Sequence, residues 1–246
     1  MALNFIHFRF PGLSGVRCAF QTRTPGVSGP CGGNISWDVD DDPASVLENR
    51  RSLVRDLGLD AFAELHQIHT DNLVFDPAPV APEDRAVMDA DGMATTRPGL
   101  GLCIKTADCQ PILLAHRDGR HIAALHAGWR GNRCDFPGSG VARFCEQYGL
   151  LPRDVLAVRG PSLGPATAQF INFEREWGAD FAAWFAAREQ TMDLWSLTRA
   201  QLRAAGLPDS HIFGLDCCTA TMDDLFFSYR RSRHCGRQAS VIWIAR

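Results

Sequence analysis

The sequence predicts an α+β fold, with mixed β-sheets flanked by helices in one domain spanning residues 1–246. Three observations carry this expectation. Short apolar runs bounded by Gly, Pro and Asp recur along the chain, as strands do. Capped amphipathic segments stand between some of them, without the strict strand–helix–strand rhythm of a doubly wound sheet. Two of the runs, Ile112–Ala115 and Ile122–Leu125, are joined through Asp118-Gly119, which reads as a β-hairpin.

The elements follow in order. Residues 16–24, VRCAFQTRT, read as a strand entering the loop PGVSGPCGGN. Asp42 suits an N-cap and Pro43 the first helical position. Val46, Leu47, Val54 and Leu57 then share one helix side, and Gly58 ends it. Further strands are expected at Leu73–Phe75 and Leu100–Ile104. Val141, Phe144, Cys145 and Tyr148 have helical spacing, closed by Gly149, and Val155–Val158 reads as a strand. Residues 174–188 are expected to be one helix, and Asp193 to cap another through Ala205. The segments FFSYRR and ASVIWIA read as closing strands.

Composition narrows the class. A chain of 246 residues buries about 70% of its extended surface on folding, so its core needs no metal or disulfide. Net charge is -3 with no block of like charges, which argues against a nucleic-acid partner. No apolar run is long enough for a transmembrane helix, and MALNFIHFRFPG lacks a signal-peptide layout. The nine cysteines are odd in number and contain no C-x-x-C, so a reducing cytoplasm is expected rather than a disulfide framework.

The stretch TADCQPILLAHRDGRHIAALHAGWRG, Thr106 to Gly131, carries most of the chemistry. Cys109 precedes one strand and His126 closes the next, which brings a thiol and an imidazole to one end of a sheet. That is raw material for a metal site or for a Cys–His nucleophile. His69, in ELHQIHTDNLV, offers a third ligand from elsewhere in the chain. Spacing alone does not choose among eight His and nine Cys, most of which are ordinary core or surface residues.

Other segments carry weaker signals. DADGMATTRPG holds Asp89 and Asp91, although a turn before a strand is the plainer reading. Asp108 neighbours Cys109 and could accept a backbone or imidazole hydrogen bond. Asp91 and Asp108 are candidates for proton transfer. Gly128 and Gly131 flank Trp129 and Arg130, where Arg could hold an oxyanion or phosphate, or the glycines could simply permit a turn. GPSLGP could present backbone N–H groups to an anion but lacks the Walker ending. Arg230 and Arg231 in FFSYRR could be site residues or an exposed basic edge.

Taken together, TRTPGVSGP, HQIH, DADGMATTRPG, TADCQP, HAGWRG, RGPSLGP and LFFSYRR…GRQASVIW resemble a bacterial family spread over nearly the whole chain. It was first labelled polyphenol oxidoreductase or laccase-domain, and has also been described as a peptidoglycan editing factor and as purine nucleoside phosphorylases. The resemblance implies an α-β-β-α layered sandwich. It implies His69, Cys109 and His126 as the metal-binding and catalytic triad, holding Zn with Cu possible. It implies phosphorolysis of purine nucleosides (adenosine, inosine, methylthioadenosine), with adenosine deaminase activity and a homodimeric assembly. Arg23, Asn34, Asp108, Arg130 and Arg230 are the residues expected to meet substrate or phosphate. Two departures stand out. Ala166-Thr167-Ala168-Gln169 replaces a Cys-Cys-Tyr-Glu-like run, and Asn132 stands where a small hydroxyl residue is common.

Three other functions compete. A multicopper phenol oxidase needs many histidines, and eight with no H-x-H pair is too few for it. A metal-free cysteine hydrolase or amidase acting on cell-wall precursors would use Cys109 as nucleophile and His126 as base. A non-catalytic binding protein would fit the divergent loop.

Overall fold

In the structure, a computed structural model, the described residues are 2–29 and 32–246, so Pro30 and Cys31 of the expected loop lie outside them. The chain enters through β1 (Phe5–Phe8), β2 (Val16–Gln21) and α1 (Pro43–Leu57). Next come β3 (Ala61–Ala63), β4 (Leu73–Phe75), β5 (Gly92–Thr95) and β6 (Leu100–Thr106). Then follow β7 (Gln110–His116), β8 (Ile122–Ala127), α2 (Trp129–Arg133) and α3 (Phe136–Tyr148). The remainder is β9 (Val155–Arg159), α4 (Phe173–Glu176), β10 (Phe185–Ala186), β11 (Thr191–Met192), α5 (Leu194–Ala204), β12 (Ile212–Gly214) and β13 (Gln238–Ile244).

The helix ends obey their local chemistry. The Asp42 carboxylate accepts from the N–H groups of Ala44 and Ser45, and Pro43 follows it without a donor to lose. Gly58 leaves α1 at φ 64°, a conformation that favours glycine. Asp193 caps α5 by accepting from Ser196 N–H.

Two sheets stack face to face. One runs in the order β1-β2-β13-β6-β3, the other β12-β9-β7-β8-β5-β4. Alternate residues of both meet between them: Cys18, Phe20, Ile104 and Ile242 from the first against Met93, Leu113, Ala124 and Val158 from the second. The outer face of the first sheet carries Ala19, Cys103 and Val241 under Leu53 and Leu57 of α1. The outer face of the second carries Ile112, Leu114 and Leu125 under Phe136, Val141 and Phe144 of α3 and Leu202 of α5. The result is the expected α-β-β-α sandwich. Each fully buried Leu, Ile or Phe stabilises it by about 1.5–3 kcal/mol.

The β7–β8 hairpin forms as expected. Pro111 faces His126 and Gln110 faces Ala127, so Cys109, one residue before β7, reaches the same end as His126. The short crossover Ala107–Cys109 carries the chain from β6 in one sheet to β7 in the other. The end of the sandwich is therefore where chemistry from both sheets can meet.

Two expected elements are different. Residues 174–188 do not form one helix: α4 stops at Glu176, Gly178 turns at φ 89°, and a 3-10 turn covers Ala179–Trp184. The cause is aromatic packing. Phe173 and Phe185 stack with ring centroids 4.1 Å apart, whereas a continuous helix would hold them about 18 Å apart. FFSYRR is no strand either. Phe226 and Phe227 are buried, and Arg231 donates to the carbonyls of Thr219, Ala220 and Phe226, which winds the segment into turns.

Candidate active site and metal centre

His126 lies on β8, buried, with Asp91 beside it at the head of β5. The two strands extend their ladder here, since His126 N–H donates to Asp91 O at 2.7 Å. Their side chains meet as well: His126 Nδ1–H donates to Asp91 Oδ1 at 2.8 Å. The other oxygen, Asp91 Oδ2, accepts from Thr70 N–H at 2.6 Å, Thr70 Oγ1–H at 3.0 Å and Ile68 N–H at 3.3 Å. One carboxylate therefore grips His126 and the chain on both sides of His69. Burial alone would raise the Asp91 carboxyl, but the hydrogen bonds from His126 and Thr70 outweigh it and hold it at about 2. As a carboxylate it only accepts, so the proton sits on His126 Nδ1 and Nε2 is left for a ligand.

Gln67 pins the same segment from the other sheet. Its Nε2 donates to Lys105 O at 2.9 Å and its Oε1 accepts from Lys105 N–H at 2.8 Å, so it extends the edge of β6 like one more backbone unit. Held between Gln67 and Thr70, His69 takes φ 62°, and Asp108, next to Cys109, takes φ 101°. Non-glycine residues in this region cost about 1–3 kcal/mol each and persist where surrounding bonds over-determine them. For Asp108 those bonds are from Thr219 Oγ1–H at 2.7 Å and Arg230 N–H at 2.6 Å.

The three ligand atoms of His69, Cys109 and His126 lie within 4.8 Å of one another. Cys109 Sγ is 3.9 Å from His69 Nε2, and the two imidazole centroids are 4.9 Å apart. Gly128 makes room for them: a Cβ there would stand 2.9 Å from Cys109 Sγ and 3.2 Å from His69 Cδ2. Burial would raise the Cys109 thiol, but His126 and His69 bring it down to about 6. Burial would lower His126, but the Cys109 thiolate and Asp91 push it up to about 9. A thiolate, an imidazole with a fixed tautomer and a second imidazole make a donor set that fits Zn²⁺ or Cu²⁺.

The triad lines a cleft of about 870 Å³. Asp108, Arg130 and Arg230 lie in its wall, together with Lys105, Arg231, Arg233 and Arg237. Arg130 stands over the Trp129 ring at 4.4 Å. Asn34 and Arg23 are placed elsewhere. Asn34 is buried, donating to Ser36 O and Asp41 Oδ2 and accepting from Arg237 N–H. Arg23 donates to Asp223 O and lies over the Phe227 ring.

The divergent positions also find their place. Asn132 joins three elements: it accepts from Gln110 Nε2 at 2.8 Å and donates to Thr198 Oγ1 and Gln201 Oε1. In the 166–169 loop Thr167 contacts Cys218 at 3.2 Å, and Gln169 O accepts from Arg230 Nη2. The motifs single out Asp91 for proton transfer and Arg230 and Arg231 as site residues, but not Gln67, Lys105, Arg233 or Arg237. Each reaches the site through pairing between distant segments.

The chain belongs to the family described as multi-copper polyphenol oxidoreductase laccase, whose model matches residues 17–245. It is 33% identical to purine nucleoside phosphorylase YfiH of Escherichia coli over 96% of this chain and 97% of that one. It is 34% identical to purine nucleoside phosphorylase PA4543 of Pseudomonas aeruginosa, covering 96% of each. Among solved structures it is similar to Neisseria meningitidis protein NMB0706, with a TM-score of 0.85, 29% identity, and 99% and 100% of the two chains covered. YlmD from Geobacillus stearothermophilus superposes with a TM-score of 0.83 at 27% identity, covering 96% and 94%.

Proposed function

We propose that this chain is a zinc-dependent purine nucleoside phosphorylase with adenosine deaminase activity. The reading takes adenosine, inosine and methylthioadenosine as substrates and His69, Cys109 and His126 as metal ligands. The observation that carries it is the meeting of those three ligand atoms within 4.8 Å at the wall of an arginine-lined cleft. The names of the relatives from Escherichia coli and Pseudomonas aeruginosa support it.

In phosphorolysis a phosphate oxygen bonds to the ribose C1′ as the C–N bond breaks, and the purine leaves with the electron pair and gains a proton. Arg130 and Arg230 are suited to hold the phosphate, since a guanidinium meets an oxyanion through paired donors. Asp91 has both oxygens engaged and holds the His126 tautomer. Asp108 is engaged by Thr219 and Arg230, so its part is to tie the Cys109 loop to the arginine segment. The metal, when bound, supplies Lewis-acid charge to the reacting purine. Free thiols throughout the described cysteines suit a cytoplasmic setting, and among the described residues no helix is long and apolar enough to cross a membrane.

The test is purified protein with adenosine and phosphate, with products resolved by chromatography. Adenine and inosine above a Cys109→Ala control support the reading, and neither above that control overturns it. Metal analysis of protein expressed without added copper separates zinc from copper. A second reading, Cys109 as nucleophile and His126 as base, is favoured by the thiol brought to about 6 beside the imidazole raised to about 9. Activity that survives a chelator and is lost on alkylation of Cys109 selects that second reading.

A further inference from the structure

The far end of the β7–β8 hairpin holds a second group of ligand atoms. His116 closes β7, His121 immediately precedes β8, and Asp118 sits in the turn between them. Backbone bonds lock that turn: His116 N–H donates to His121 O at 3.0 Å, and Gly119 N–H donates to His116 O at 3.0 Å. Residues opposed across a ladder project to the same face. The two imidazoles do so, with centroids 6.0 Å apart, and the His121 ring packs on Tyr148 of α3 at 4.9 Å.

Asp118 folds back between the two rings. Its Oδ2 is 2.8 Å from His121 Nδ1 and its Oδ1 is 3.2 Å from His116 Nδ1. His116 Nδ1 also accepts from Asp118 N–H at 3.3 Å. Accepting that bond turns a nitrogen lone pair toward the turn, where the Asp118 carboxylate also lies. Asp118 Oδ1 also accepts from Arg120 N–H at 2.8 Å, so the carboxylate is held in place beside both rings. The side chains are only 16%, 20% and 19% exposed, so the donors are already gathered and partly desolvated. All three ligand atoms lie within 4.8 Å of one another. Arg120, near Asp118 at 3.8 Å, is 80% exposed and swings in solvent, a weak competitor.

We propose that His116, Asp118 and His121 bind a divalent transition-metal ion of the Zn²⁺ or Cu²⁺ class, at a site separate from His69, Cys109 and His126. Two imidazoles and one carboxylate form a facial N₂O set that such ions take, leaving further positions for water. Binding requires each imidazole to present a lone pair to the ion. The two sites lie at opposite ends of β7, about 20 Å apart at the rise of an extended strand. The ion would clasp the hairpin turn, and total metal content would exceed what the Cys109 site can hold.

The experiment uses metal-stripped full-length protein titrated with Zn²⁺ by calorimetry. Cys109→Ser isolates the turn site and is expected to bind one equivalent. Adding His116→Asn and His121→Gln in that background is expected to weaken binding at least tenfold. The proposal is overturned if the Cys109→Ser protein takes up no Zn²⁺, or keeps its affinity after both histidines are replaced. NMR of the histidine rings in the Cys109→Ser protein gives an answer without the turn substitutions. Zn²⁺ should shift the His116 and His121 signals first, and a first shift elsewhere would overturn the assignment.

Discussion

Asp91 and His126 are bonded twice, backbone to backbone at 2.7 Å and carboxylate to imidazole at 2.8 Å. The double bond fixes both the position of the ring and its tautomer. The same carboxylate holds Thr70, so the placement of both imidazoles, His126 and His69, leans on one buried side chain. Asp91→Asn keeps the size but supplies a donor where two acceptors are needed. Metal affinity should fall about 10- to 100-fold, as it does when the hydrogen-bond partner of a ligating histidine is replaced. Competition with a chromophoric chelator measures it.

The Cys109–His126 pair sets a pH profile for the metal-free protein. The thiol is depressed to about 6 and the imidazole raised to about 9. Below about 6 both states carry two protons; between about 6 and an ordinary histidine pKa of about 6.5 the unfolded chain carries a proton on both groups, whereas the folded pair carries one. Stability therefore rises with pH through that range. Between about 8.5 and 9 the unfolded thiol is lost to thiolate while the folded imidazolium keeps its proton, so stability falls with pH there. Between these two ranges both states hold one proton and the profile is flat. Urea unfolding of wild type and Cys109→Ala from pH 5 to 10 checks this: the difference between them should be dome-shaped, and a monotonic difference would contradict it. Alkylation of Cys109 should titrate near 6.

Gly128→Ala places a methyl group against two ligands at once, 2.9 Å from Cys109 Sγ and 3.2 Å from His69 Cδ2. The expected result is an intact fold, destabilised by about 1–3 kcal/mol from overpacking, with at least tenfold weaker metal binding. Circular dichroism melts and metal content read the two effects separately.

Arg50 is buried in full on α1 and meets Glu64 at 2.8 Å and 3.0 Å through paired donors, with Lys105 at 3.5 Å from the same carboxylate. Removing one partner leaves a charge without its match in the interior. Arg50→Met should cost about 3–5 kcal/mol, measured by denaturant unfolding. Because Lys105 lines the cleft from the same cluster, under the proposed phosphorolysis the loss should also raise the KM for phosphate in any variant that still folds.

What could be read beforehand follows from range. The hairpin was legible because Asp118-Gly119 and its flanking apolar runs are contiguous, and the ends of α1 because Asp42, Pro43 and Gly58 act within one turn. Cys109 and His126 then followed from pairing alone as neighbours at one sheet end. Choosing His69 from eight histidines needed the family resemblance, since its approach depends on Gln67 and Asp91, which act across distant segments. Asp91 read as a turn residue or a proton-transfer candidate because its partner His126 is on another strand. Residues 174–188 have helical spacing, but the stacking of Phe173 on Phe185 overrides it. In FFSYRR the aromatic run that suggests a strand serves as two buried plugs, Phe226 and Phe227.

The bridge from Asn132 to Gln110, Thr198 and Gln201 makes one buried side chain a mechanical link. Its amide uses both its donor and its acceptor, and Gln201 returns a bond to the Asn132 carbonyl at 2.6 Å. A serine at position 132 spans none of these distances. Asn132→Ser would leave Gln110 Nε2, Thr198 Oγ1 and Gln201 Oε1 without the amide that joins them in the interior. The helix α5 and the strand that leads from Cys109 are thereby clamped to each other through a single amide.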